Sequence, residues 1–172
     1  MYTTDLNASE YNPYYEPFIA ILEKEVALVD ILIESRNDVL SFFKDIPAEK
    51  LSYRYDVGKW TPKEVLMHII DTERIFAYRA LRFARKDTVD LLGFDQNNFI
   101  PPSKADSRTI ESLLEEYEAV RNATIVLFKN FDDTMLKEIG TGSGSKMSVR
   151  ALGFITVGHE KHHVSLIKER YL

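Results

Sequence analysis

The segment Gly158-His159-Glu160-Lys161-His162-His163 holds three of the chain's four histidines, and His159 and His163 are four residues apart. An α-helix turns once in about 3.6 residues, so within a helix these two imidazoles share a face. The fourth histidine, His68, lies in another segment of helical pattern. Neutral imidazoles ligate Zn²⁺, Ni²⁺ and Fe²⁺, and three of them leave positions free for water or a small-molecule substrate. A lone histidine on an apolar helix face is ordinarily a core imidazole bonded to a neighbour. Two on one inward stripe are costly to bury unless both acceptor nitrogens are satisfied, and a metal does that directly. The expectation is one divalent metal held between two helices by His68, His159 and His163. His162 is rotated by about 100° from His163 and is expected to point away.

Other motifs compete for the same residues. His159-Glu160-x-x-His163 spells the zincin pattern, in which Glu160 would be a general base. Only nine residues follow His163, which leaves no place for the usual downstream ligand, and the extended metzincin glycine and histidine are missing. Glu160-x-x-His163 also gives half of a di-iron motif, but no glutamate stands three residues before His68. Glu160 and Asp71 are the candidate catalytic bases. Glu64, one turn before His68, and Asp71, nearly one turn after, could orient an imidazole or hold water; for both, simple surface solvation is the alternative. Thr72 is small and polar where a bulky apolar residue would fit, and could open room beside the metal. Trp60 could equally be a packing anchor. Gly140-Thr141-Gly142-Ser143-Gly144-Ser145-Lys146 resembles a phosphate loop only superficially: Ser145 separates Gly144 from Lys146, Met147 follows the lysine, and no strand precedes it. It is read as a flexible link.

Four long amphipathic segments must position these side chains. The first runs from about Pro17 to Lys44, with Ile21, Leu28, Leu32, Val39 and Phe42 at helical spacing. The second opens at Thr61-Pro62-Lys63-Glu64, a capping box with proline in the first turn. Its stripe of Val65, His68, Thr72, Ile75 and Arg79 lies beside Ile69, Phe76, Ala80 and Phe83. The third runs from Asp106-Ser107 to about Phe131, and the fourth from Ser148 onward, with Leu152, Ile155, His159, His163 and Ile167 on its inner face. Strand signals are weak; Leu51-Ser52-Tyr53-Arg54-Tyr55 alternates but is read as an extended connector. The pattern predicts an all-α four-helix bundle, residues 1–172 forming one domain. The connection from Lys86 to Ala105 can span roughly 65 Å when extended. That exceeds a helix of about 37 Å, so it could cross the bundle and let helices two and three run parallel. Its Phe94, Asp95, Gln96, Asn97 and Asn98 could cover a pocket mouth, although surface packing is the simpler reading for any one of them.

Composition narrows the function. The chain has 172 residues, 45% of them apolar, which is enough for a real core. A net charge of −5 without a basic tail speaks against nucleic acid. Arg79, Arg82, Arg85 and Lys86 cluster where a helix ends and are read as complementing its dipole and facing water, with holding an anionic substrate as the alternative. No apolar run approaches a membrane span, and Met1 to Tyr15 lacks the pattern of a secretory signal; a soluble cytoplasmic protein is expected. Cysteine is absent, so thiolate ligands, disulfides and a cysteine nucleophile are excluded.

Lys59-Trp60-Thr61-Pro62-Lys63-Glu64-Val65-Leu66-Met67-His68 and Asp71-Thr72-Glu73-Arg74-Ile75-Phe76-Ala77-Tyr78-Arg79 resemble the second helix of the DinB/YfiT-like superfamily. Gly93-Phe94-Asp95 and Gly158-His159-Glu160-Lys161-His162-His163 match as well, so the resemblance spans nearly the whole chain. It implies an up-down-down-up bundle with a long crossover between helices two and three. It also implies a divalent metal, often nickel or zinc, on His68, His159 and His163, and frequent homodimers. Relatives of this kind include transferases that join low-molecular-weight thiols to electrophiles, and a thiol-dependent isomerase. Three functions follow for comparison: a metal-dependent thiol transferase, a metal-dependent hydrolase using the same ligands, and a non-catalytic metal-binding dimeric protein.

Overall fold

The computed structural model describes all 172 residues. Short turns of 3₁₀ helix precede α1 (Glu16–Ala20), followed by α2 (Leu28–Lys44), α3 (Pro62–Ala84), α4 (Gln96–Ser103), α5 (Ile110–Lys129), α6 (Asp133–Lys137), β1 (Ile139–Gly142), β2 (Ser145–Ser148) and α7 (Val149–Arg170). The four long helices α2, α3, α5 and α7 form the bundle. Both α2 and α3 pack against α5 and α7. No helix is long and apolar enough to cross a membrane.

The start signals act as the sequence suggests. Thr61 Oγ1 accepts from the Glu64 N–H at 3.2 Å, and the Thr61 N–H donates to Glu64 Oε2 at 2.9 Å, closing the capping box of α3. Ser148 caps α7 by accepting from Ala151 N. Thr109 caps α5, which therefore begins at Ile110; the expected start at Asp106 is instead a 3₁₀ turn over Ala105–Ser107.

Two further expectations need correction. The first helix is broken into α1 and α2, because N-terminal residues claim its backbone groups: Leu28 N–H donates to Met1 O, and Thr3 Oγ1 bonds the carbonyls of Glu23 and Lys24. The glycine-rich link is a β-hairpin with Ile139 opposite Ser148 and Gly142 opposite Ser145. Ser143 and Gly144 take φ of 55° and 71°, the left-handed pair that a tight hairpin turn needs. The Lys86–Ala105 connection joins this hairpin: Leu91 N–H donates to Thr141 O, and Ser143 N–H to Leu91 O. Gly140 lets β1 lie on α3, since a Cβ there would stand 1.9 Å from the Phe83 ring.

The apolar core is split in two. One half gathers Leu28, Leu32, Phe76, Phe83, Phe128, Phe154 and Val157; the other gathers Val39, Phe43, Ile70, Leu113, Tyr117 and Ile167. Between them each long helix places buried polar residues: Ser35 on α2, Thr72 and Glu73 on α3, Arg121 on α5, and His159 and Glu160 on α7. Burying polar groups costs free energy unless each finds a partner, so this belt marks where the fold gives up packing.

Candidate metal centre

His68, in the second turn of α3, faces His159 and His163, one turn apart on α7. His68 Nε2 lies 3.0 Å from His159 Nε2, and His163 Nε2 lies 3.1 Å from the same atom. One nitrogen of each ring falls within 4.8 Å of the other two. His68 and His159 are buried, and His163 is partly exposed. His162 turns outward, as its rotation on the helix requires.

Aromatic rings enclose the cluster. Phe18 stands edge-on to His159 at 5.6 Å, Phe76 approaches the same ring at 6.3 Å, and Trp60 lies 5.0 Å from His68. Phe18 reaches this position because residue 158 is glycine. A Cβ on Gly158 would sit 2.0 Å from Phe18 O, so only a bare backbone lets α1 approach α7 so closely.

The electrostatics keep the imidazoles neutral. Burial pushes His68 down to about 4. Burial, reinforced by repulsion from His68 and His162, takes His163 to about 3. Burial and the neighbouring histidines hold His159 well below the usual imidazole range. Neutral rings are the form that ligates a metal.

The donor set fits a cation. A ring nitrogen carries one proton or one lone pair, so His159 Nε2 cannot form two good hydrogen bonds to nitrogens at 3.0 and 3.1 Å. Two nitrogens bound about 2.1 Å from one ion stand roughly 3.0–3.4 Å apart at the angles common to such sites. The two spacings to His159 Nε2, 3.0 and 3.1 Å, lie in that window. Thr72 Oγ1 lies 3.4 Å from His68 Nδ1, on the far side of the ring, where an acceptor favours the tautomer with a free lone pair on Nε2. His163 Nδ1 is buried and has no partner in the chain.

Among the other candidates, Glu160 is fully buried, and both its oxygens are engaged. Arg121 donates to Oε1 at 3.1 Å and to Oε2 at 2.7 Å, and Tyr117 Oη donates to Oε2 at 2.9 Å. The same guanidinium pairs with both oxygens of Glu73 at 2.8 Å. Burial disfavours the Arg121 cation, but the two glutamates overcome it and hold its pKa well above the arginine value. Asp71 lies 3.7 Å from Arg74, and burial raises its carboxyl against the pull of that arginine. It lines a cavity of about 620 Å³ with Met67, Asn98 and Phe99. Glu64 is taken up by the capping box and by Arg54.

Sequence reasoning missed Arg121, Glu73, Tyr117 and Phe18. A signal existed for Arg121, a charge on the apolar stripe of Tyr117 and Thr124. Gly158, a glycine in mid-helix, is a sign of close approach.

A cavity of about 260 Å³ opens on His163, lined also by Tyr55, Trp60, Val65, Leu166 and Tyr171. Fold and site together define a helical bundle with a buried three-histidine cluster at the edge of a cavity. The chain belongs to the DinB superfamily, whose family pattern matches residues 31–167 and so includes all three histidines. Among solved structures it resembles YfiT from Bacillus subtilis, described as a probable metal-dependent hydrolase with an unusual four-helix bundle topology. That likeness has a TM-score of 0.75 at 15% identity, over 86% of this chain and 90% of that one. A DinB-like protein of Bacillus subtilis, YjoA, matches with a TM-score of 0.59 at 17% identity, over 83% and 87%. At these identities the likeness shows the fold. No curated protein matches in sequence.

Proposed function

We propose that His68, His159 and His163 bind one divalent metal, zinc, nickel or iron, in an enzyme that transfers a low-molecular-weight thiol to a small electrophilic substrate. The observation that carries the reading is the meeting of three neutral imidazole nitrogens beside a cavity that reaches His163. When bound, such a cation supplies Lewis acidity and lowers the pKa of a coordinating thiol. The chain's own part is positioning and exclusion of water. Thr72 orients His68, while Phe18 and Phe76 cover His159 and Trp60 covers His68, leaving His163 as the side open to the cavity. The chain contains no cysteine, so the sulfur arrives with the co-substrate.

Hydrolysis is the second reading, favoured by the description of YfiT. It needs a group to manage a proton. Glu160 is committed to Arg121 and Tyr117, which leaves Asp71 as the freer of the two candidate bases. A non-catalytic metal-binding dimer is the third, and the cavity at His163 weighs against it.

The same reading takes the bundle as up-down-down-up. Lys63 Nζ at the start of α3 bonds Arg108 O just before α5, and Tyr171 after α7 donates to Trp60 O just before α3; both contacts support it. It further expects a homodimer and a cytoplasmic location, measurable by light scattering and cell fractionation. The function itself is tested by assaying metal-loaded protein with several biological thiols and a chromogenic electrophile. Thiol-dependent turnover that His68→Ala abolishes supports the transferase. Thiol-independent ester cleavage with the same ligand requirement supports the hydrolase, and no rate above the metal-free control contradicts both.

A further inference from the structure

The cavity beside His163 has a distinct size and a distinct lining. At about 260 Å³ it exceeds the roughly 150 Å³ that holds a benzene ring and falls below the roughly 300–1,000 Å³ of sites for larger ligands. One substituted ring fits within it. Three aromatic side chains, Tyr55, Trp60 and Tyr171, form much of its wall. Tyr55 and Tyr171 stand edge-to-face at 5.0 Å, and Trp60 bridges the cavity to His68. Aromatic walls favour a flat ring over a puckered one of equal volume.

The polar part of the lining has one sign. Lys59 and Asn97, both exposed, complete the cavity, and no carboxylate lines it. Lys59 Nζ lies over the Tyr55 ring, 6.0 Å from its centre. Asp38 and Asp45 line a larger cavity of about 480 Å³, and Asp71 and Glu116 line the one of about 620 Å³; a third, of about 510 Å³ between Tyr78 and Leu127, also lacks a carboxylate, but none of the three includes a clustered histidine.

We infer that this cavity is the substrate subsite and that it selects a single-ring aromatic anion. The ring lies against Trp60 and the two tyrosines, and the negative group turns toward Lys59 and Asn97. The role of this subsite in a reaction rests on the enzyme reading above, whereas its preference in binding does not.

The test compares benzoate with cyclohexanecarboxylate, which carry the same charge on a flat and a puckered ring. Each is titrated into the full chain, with and without one equivalent of Zn²⁺, and followed by amide NMR shifts and by fluorescence of Trp60, the only tryptophan. Benzoate is expected to bind about fivefold more tightly in both forms. Trp60→Leu should remove that preference, and Tyr55→Leu should reduce it if the first variant fails to fold. Lys59→Ala should weaken both acids about threefold and leave the preference intact. Equal affinities, a preference that survives both aromatic substitutions, or no shift with either acid would overturn the assignment. Zinc stoichiometry, measured on the same samples, reports on the metal reading separately, because the two acids share any coordination through their carboxylate.

Discussion

Arg121 holds Glu160 with two hydrogen bonds, of 2.7 and 3.1 Å, at the residue next to His159. The other face of the guanidinium holds Glu73, the residue after Thr72. One side chain on α5 therefore ties together the two helices that carry the histidines. Removing one member of a buried ion pair strands charge in a poor solvent, at a cost of about 3–5 kcal/mol. Arg121→Met should lose that much stability in urea unfolding, and adding Glu160→Gln should restore part of it. A loss below about 1 kcal/mol would show that the network is not under electrostatic load.

Thr72→Val keeps the shape of the side chain but removes the acceptor from His68 Nδ1. Losing an outer hydrogen-bond partner of a ligating histidine typically weakens metal affinity by about 10–100-fold. Competition against a chromophoric chelator should find a loss in that range, with the helical circular dichroism retained. Unchanged affinity would mean that the hydroxyl plays no part in orienting the ring.

Gly158→Ala brings a methyl group against the backbone of α1, its Cβ falling 2.0 Å from Phe18 O. Backbone must move, and overpacking of this kind costs about 1–3 kcal/mol. The N-terminal segment should detach before the bundle does, exposing His159 as Phe18 leaves. Limited proteolysis should cut the variant within residues 1–27 faster than the parent chain; equal rates would contradict the close approach.

Glu10 and Arg150 form a buried pair that fastens the N-terminal segment to α7. Burial alone would raise the Glu10 carboxyl, but hydrogen bonds from Arg150, Ser148 and Asn7 outweigh it and lower it from 4.5 to about 2. A depressed folded-state pKa stabilises the fold above 4.5, and that contribution is lost as pH falls toward 2. Arg150→Met should cost about 1–3 kcal/mol at neutral pH. The difference from the parent should shrink between pH 4.5 and 2 in denaturant titrations. A difference independent of pH over that window would assign the effect to packing.

Much of this was legible in the residues. The capping box at Thr61 and Glu64 and the apolar stripes gave α3 and α7, and helical period alone put His159 and His163 on one face. What period cannot give is the contact between distant segments. The break between α1 and α2 depends on Met1 and Thr3 returning to bond Leu28, Glu23 and Lys24. The hairpin over Ile139–Ser148 depends on Leu91 and on the Phe83 face of α3. The role of Glu160 was hidden for the same reason, since its partner Arg121 is 39 residues away. A glutamate beside a histidine reads as catalytic until the cation facing it is known.

Whether three imidazoles from α3 and α7 share one cation is decided by titrating metal-free protein with Zn²⁺ against a competing chelator. One equivalent per chain should bind the parent, while His68→Ala, folded by circular dichroism, should bind at least about a hundredfold more weakly. Failure of the parent to bind, or equal affinity in the variant, would mean that the three histidines do not form a metal site.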